Sequence, residues 1–186
     1  MQKPSNYDQV EAATSEKLRP GGYVCIIVSA KEAIVGKQNK TYLMLALDIA
    51  EGENKGFYKR KHTQKKARDP KAKWPAVYMQ CAEESSIPHF KRMMGDIEAS
   101  NPGYKWDPKW DEKTLVGKML GGIFGEREFV TKDGEVKTVV ECRYITTVDA
   151  VRKGDITIPP IKKLENKTVS STGYADTEVE DDEPPF

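Results

Sequence analysis

The sequence predicts a mainly β fold: five strands in one domain, with a single helix between the third and the fourth. Three observations carry this. Apolar and β-branched residues gather in short segments that alternate or run unbroken, as strands do. Gly, Pro, Asn and Asp punctuate those segments where turns are needed. One segment, residues 86–100, has apolar side chains at helical spacing. At 186 residues and 38% hydrophobic content, the chain fits one core with tails, or at most two small domains. No apolar run approaches the ~20 residues that span a bilayer, and the N-terminal residues have no apolar stretch resembling a signal peptide. Cys25, Cys81 and Cys142 are odd in number, far apart and set among apolar neighbours. They predict core thiols in a reducing cytoplasm rather than disulfides or a metal site.

Residues 1–20 are polar and lead into Gly21-Gly22; they read as an arm, with a short helix around residues 9–18. Residues 23–35 are apolar and β-branched, a long first strand. Residues 36–40 form a turn that carries Lys37 and Lys40. Residues 41–50 make the second strand, with Leu43, Leu45, Leu47 and Ile49 on one buried face. A turn at 51–55 leads to two candidates for the third strand, 56–61 and 76–81, with the lysine-rich segment between them as a loop. Ser86 is placed to cap the helix, and Pro88 falls in its first turn, where a missing N–H costs nothing. Phe90, Met93, Met94 and Ile97 then supply its apolar stripe, and Asn101-Pro102-Gly103 ends it.

A loop with Trp106 and Trp110, read as a lid on the barrel, leads to the fourth strand, 115–129. There Gly117, Gly121, Gly122 and Gly125 mark bends or bulges. The fifth strand, 135–151, follows a tight turn at Asp133-Gly134. Pro159-Pro160 opens a polar linker. The expected domains are thus an arm (1–20), a body (21–158) with a basic insertion at 59–73, and a linker with tail (159–186). This element order is that of the OB-fold, a five-stranded Greek-key barrel whose open face binds single strands or oligosaccharides. A generic α+β sheet shares the order.

The net charge of +1 hides a separation. Residues 59–73 hold eight Lys/Arg against one Asp, and residues 176–186 hold six carboxylates and no base. Like charge at that density, with little apolar area, predicts a disordered tail. It ends on Phe186, a ring that gains nothing unless something else receives it.

Single-strand binding without sequence preference needs cations that track phosphates and rings that stack on bases. The cations expected to do this are Lys37, Lys40, Lys59, Arg60, Lys61, Lys65, Lys66, Arg68, Lys71, Lys73 and Lys132. The expected stacking rings are Tyr42, Phe57, Tyr58, Trp74 and Tyr78. The more informative signal is the interleaving, since Phe57 and Tyr58 precede the basic run while Trp74 and Tyr78 follow it. A lysine run is more often only a solvated loop, and Tyr42, Phe57 and Tyr78 each have a place in a core as their other reading. No phosphate loop, nucleophile elbow or cofactor motif is present, and neither His62 nor His89 has a partner at metal-ligand spacing. No enzyme is expected. The weak exceptions are Glu83-Glu84 and Asp111-Glu112, adjacent carboxylates of the kind a metal-dependent nuclease uses.

At its end the chain resembles a known family. Asp181-Asp182-Glu183-Pro184-Pro185-Phe186 is similar to the C-terminal tip of bacterial single-stranded DNA-binding proteins, Asp-Asp-Asp-Ile-Pro-Phe. Asp181, Asp182, Pro185 and Phe186 match, Glu183 keeps the charge, and Pro184 replaces an Ile. The resemblance implies a tip that docks on replication, recombination and repair proteins, with the ring in an apolar pocket and its carboxylate on a base. The body, with its basic insertion and no Gly/Gln-rich linker, looks more like the divergent single-strand binders that bacteriophages encode. That implies action in the cytoplasm of a bacterial host. The expected function is binding and protection of single-stranded DNA with partner recruitment by the tip; a small phage nuclease and a protein-only replication adaptor are the alternatives. No cofactor is implied. Self-association stays open, because no heptad or edge device is visible.

Overall fold

The computed structural model describes residues 17–164 except 37, 108, 110 and 132. The arm helix expected at 9–18 therefore lies almost wholly outside the described residues, as do the linker beyond Leu164 and the tail; Leu18 itself is buried without being helical.

Five strands form one antiparallel sheet: β1 (Gly21–Val35), β2 (Lys40–Ile49), β3 (Val77–Cys81), β4 (Met119–Val130) and β5 (Val136–Thr146). Their order is β3-β2-β1-β4-β5. The long first strand serves two partners. It pairs with β2 over Cys25–Val35 and with β4 over Gly21–Ile26. A bulge between Ile27 and Ser29 bends it where the second pairing stops. β3 and β5 are the edges, and four successive antiparallel pairings make them run the same way. They approach one another, yet no ladder joins them.

Among the described residues three helices accompany the sheet: α1 (Phe57–Arg68), α2 (Ile87–Ser100) and α3 (Val148–Lys153). The second is the expected helix between the third and fourth strands, and it buries Met93, Met94 and Ile97. Pro88 sits in its first turn, whereas the Ser86 side chain makes no cap hydrogen bond. Asn101 stops it by bonding two elements at once. Its Nδ2 donates to Ile97 O and Met119 O, both at 2.7 Å, and its Oδ1 accepts from Met119 N at 2.9 Å.

Helix α1 corrects the expectation of a strand at 56–61 followed by a loop. The run Lys59–Arg68 is built of good helix formers, and two non-local features start the helix. Asp48 Oδ1, buried on β2, accepts from Tyr58 N at 3.0 Å and from Lys59 N at 3.4 Å. Gly56 turns the chain with φ of 72°, a conformation that favours glycine. The fourth strand begins later than expected, after a 3-10 turn at Glu112–Leu115. The fifth ends earlier, at Thr146, because the Thr147 hydroxyl accepts from Ala150 N at 3.2 Å and starts α3.

The core lies inside the curved sheet. Leu45, Leu47, Ile97, Leu115, Leu120 and Phe124 are fully buried there. One face of β2 was expected to be buried; both are, since Met44 and Ala46 on the other side are also covered. Gly121 allows a close approach between elements, as a Cβ there would stand 2.5 Å from the Thr147 carbonyl. After α3 the chain returns along β4. Lys162 N donates to Glu126 O and Glu128 N to Lys162 O, both at 2.9 Å, so the segment stays attached to the sheet past residue 158. All three cysteines are free thiols. Among the described residues no helix is long and apolar enough to cross a membrane.

Candidate nucleic-acid interface

The site is built at the C-terminal end of α1. Lys61, Lys65 and Arg68 recur at i, i+4 and i+7, so they share one face of the helix. Asp69 then ends the helix and reverses the chain, its Oδ1 accepting from Lys71 N at 2.9 Å and its carbonyl from Ala72 N at 3.0 Å. The reversal brings Lys71 and Lys73 back beside Lys65 and Arg68. These four cations, with Asp69 and Trp74, line a groove of about 550 Å³.

Trp74 is held in this groove from two sides. Its Nε1 donates to Leu47 O on β2 at 2.8 Å, and the His62 ring lies against it with centroids 4.9 Å apart. His62 Nε2 in turn lies 3.1 Å from Ala72 O. The indole is therefore fixed in orientation, half-buried, with its polar atom already satisfied. A ring of this kind offers a π-face at little ordering cost, and a base stacked on it displaces only water.

The other expected residues divide. Lys59, Arg60 and Lys66 are exposed on α1 away from that face, and Lys61 stands with its Nζ 4.5 Å from the Phe57 ring. Phe57 and Tyr58 are corrected from stacking rings to core. Each is nearly fully buried, the two meet edge to face at 5.0 Å, and Tyr58 stacks on Phe124 at 6.1 Å. Burial also raises the Tyr58 phenol far above its ordinary value. Tyr78 faces the inner side of the sheet. Its hydroxyl donates to Gln80 Oε1 at 3.1 Å, and burial pushes its pKa up to about 12. Tyr42 and Lys40 lie at the opposite end of β2 from Leu47, roughly 17 Å and 24 Å along the strand, and are not brought to the groove. Lys37, Lys132 and the tip from Asp181 to Phe186 lie outside the described residues.

Two of the four carboxylates considered for a nuclease have structural partners. Glu83 Oε1 accepts from Thr41 N at 2.8 Å, and Asp111 Oδ1 from Lys113 N at 2.9 Å. Among the described residues no cluster of His, Cys, Asp and Glu has the makings of a metal site. Trp106, expected as a lid, packs edge-on against Phe90 at 6.5 Å, over α2; Trp110 lies outside the described residues.

Sequence reasoning missed the residues at the gap between β3 and β5. Gln80 of β3, Arg92 of α2, and Arg143 and Tyr144 of β5 line a cavity of about 640 Å³ there. The available signal was the Arg-Tyr pair inside an apolar strand, but only the parallel approach of two distant strands makes it a wall. No protein-family model matches this chain and no curated protein matches it, so the functional reading rests on this geometry and on the sequence.

Proposed function

We propose that this chain is a non-enzymatic single-stranded DNA-binding protein, built as an OB-type barrel left open between β3 and β5. The observation that carries the reading is the convergence of Lys65, Arg68, Lys71 and Lys73 around one immobilised indole, Trp74. Cations spread along a sequence segment are ordinary. Four that a helix end and a tight turn gather about an aromatic face match what an unpaired strand offers: phosphates at its edge and bases with π-faces. The strand order and the helix between β3 and β4 agree with the barrel topology that commonly does this work.

The acidic tip is the second part of the proposal. Its terminal Phe186 would recruit replication and recombination proteins, and its charge would compete with DNA for the basic groove. The gene's setting on this reading is a bacteriophage acting in the host cytoplasm.

The test is a titration of fluorescently labelled oligo-dT, followed by anisotropy over a series of salt concentrations. Binding is expected, with log K falling linearly against log salt by about 0.7 for each phosphate neutralised. Absence of binding, or binding indifferent to salt, would remove the proposal.

A further inference from the structure

We propose that the gap between β3 and β5 is a continuation of the single-strand path, ending in a phosphate-and-base subsite made by Arg92, Arg143 and Tyr144. This rests on the reading above and adds to it a route and a second set of contacts.

The route follows from consecutive cavities. The groove around Trp74 shares Trp74 and Pro75 with a smaller cavity of about 210 Å³, walled by Ala76 and Val77 on one edge and Val139–Cys142 on the other. Next along both strands comes the larger cavity, with Tyr78 and Gln80 on one side and Arg143–Thr146 on the other. Because β3 and β5 run the same way, the residue numbers climb together from one cavity to the next. One seam therefore leads from Trp74 past Tyr78 to Tyr144.

Its chemistry changes along the way. The middle is neutral, because Arg127 Nε donates to Glu141 Oε2 at 2.8 Å, and Val139 and Val140 supply apolar wall. Cations return at the far end, where Arg92 and Arg143 line the cavity together with Asp155, and Asp96 on α2 offsets part of the charge of Arg92. Among the described residues, Arg143 Nη1 is buried with no hydrogen-bond partner. A guanidinium N–H shut from water and left unpaired is costly, and a phosphodiester oxygen is an acceptor of the matching charge. Beside it, Tyr144 is 54% exposed and offers an open ring on which a base can stack. Unpaired edges also suit an extended peptide. The Arg pair and the continuity with the Trp74 groove favour a nucleic-acid strand instead.

The experiment uses the full chain and two oligo-dT lengths of about 4 and about 12 nucleotides, one at the lower limit of the site size of such a barrel and one well within it. The longer should bind more tightly than the shorter. Tyr144→Ala and Arg143→Met should each weaken the longer by about five- to tenfold, the low end of one lost contact, and leave the shorter within about twofold. Trp74→Ala should weaken both. Tyr144 is exposed, so its replacement leaves the fold intact even if Arg143→Met does not, and retained binding of the shorter oligonucleotide reports that fold. If the longer binds the wild type and Tyr144→Ala keeps the full affinity, the strand does not run through the seam, while the Trp74 reading survives. If neither length binds the wild type, both fail together.

Discussion

Asp48 shows how much one side chain decides here. It is a buried carboxylate on β2 whose Oδ1 accepts from two backbone N–H groups of the first turn of α1, the service an N-cap residue normally performs from within the helix. Asp48→Ala leaves those donors unsatisfied and should lower stability by about 1–2 kcal/mol in urea unfolding; Asp48→Asn, which keeps an acceptor oxygen, should lose less. Equal losses from both variants would show that the charge matters rather than the acceptor. Tyr78 makes a prediction about pH. Its folded-state pKa of about 12 lies above the unfolded value near 10, so the folded chain holds the proton more tightly. That contribution is whole below pH ~10 and is lost as pH rises towards ~12, on the order of 2 kcal/mol. Tyr58 and the Cys25 and Cys142 thiols, also raised by burial, share this alkaline limb. Tyr78→Phe should therefore reduce it without abolishing it, at a neutral-pH cost of about 1 kcal/mol for the lost bond to Gln80. An unchanged alkaline limb in the variant would contradict the assignment.

At the scale of elements, local pattern and long-range contact divided what could be read. The second strand, the helix with Met93, Met94 and Ile97, and the hairpin at Gly134 were legible because each is set by its own residues. Helix α1 was not. Phe57 and Tyr58 look like strand residues, and six cations within twelve positions repel one another as a helix. What overrides both is non-local: both rings bury in the core, Tyr58 stacking on Phe124, and the first turn is held by Asp48. The same split runs through the site. Aromatics flanking a basic run were visible in sequence, but which ring remains available was not. Phe57 and Tyr58 sink into the core, and Trp74 stays at the groove because the turn at Asp69 carries it there. The cations of that turn should act as a unit. Lys71→Ala with Lys73→Ala should reduce the salt slope of oligo-dT binding by about 1.4, two phosphate contacts' worth. Lys59→Ala with Lys66→Ala, on another side of α1, should change it little. Equal effects from the two pairs would mean that charge acts diffusely and the groove is not a site.

Over the whole molecule, charge is held in two opposed blocks, an internal basic one and a terminal acidic one of six carboxylates. If they compete, deleting residues 176–186 should tighten oligo-dT binding severalfold at low salt and make no difference at high salt, where screening removes the competition. Unchanged affinity at low salt would separate the tail from DNA binding and leave it partner recruitment alone. All of this depends on a strand lying against the indole that Leu47 and His62 hold in place. The most direct measurement is tryptophan fluorescence during titration with oligo-dT, for the wild type and for Trp74→Phe. Saturable quenching in the wild type that largely disappears in the variant, together with an affinity loss of about 1–2 kcal/mol, is the predicted result. Quenching that persists undiminished in Trp74→Phe would place the DNA at another tryptophan and contradict the account.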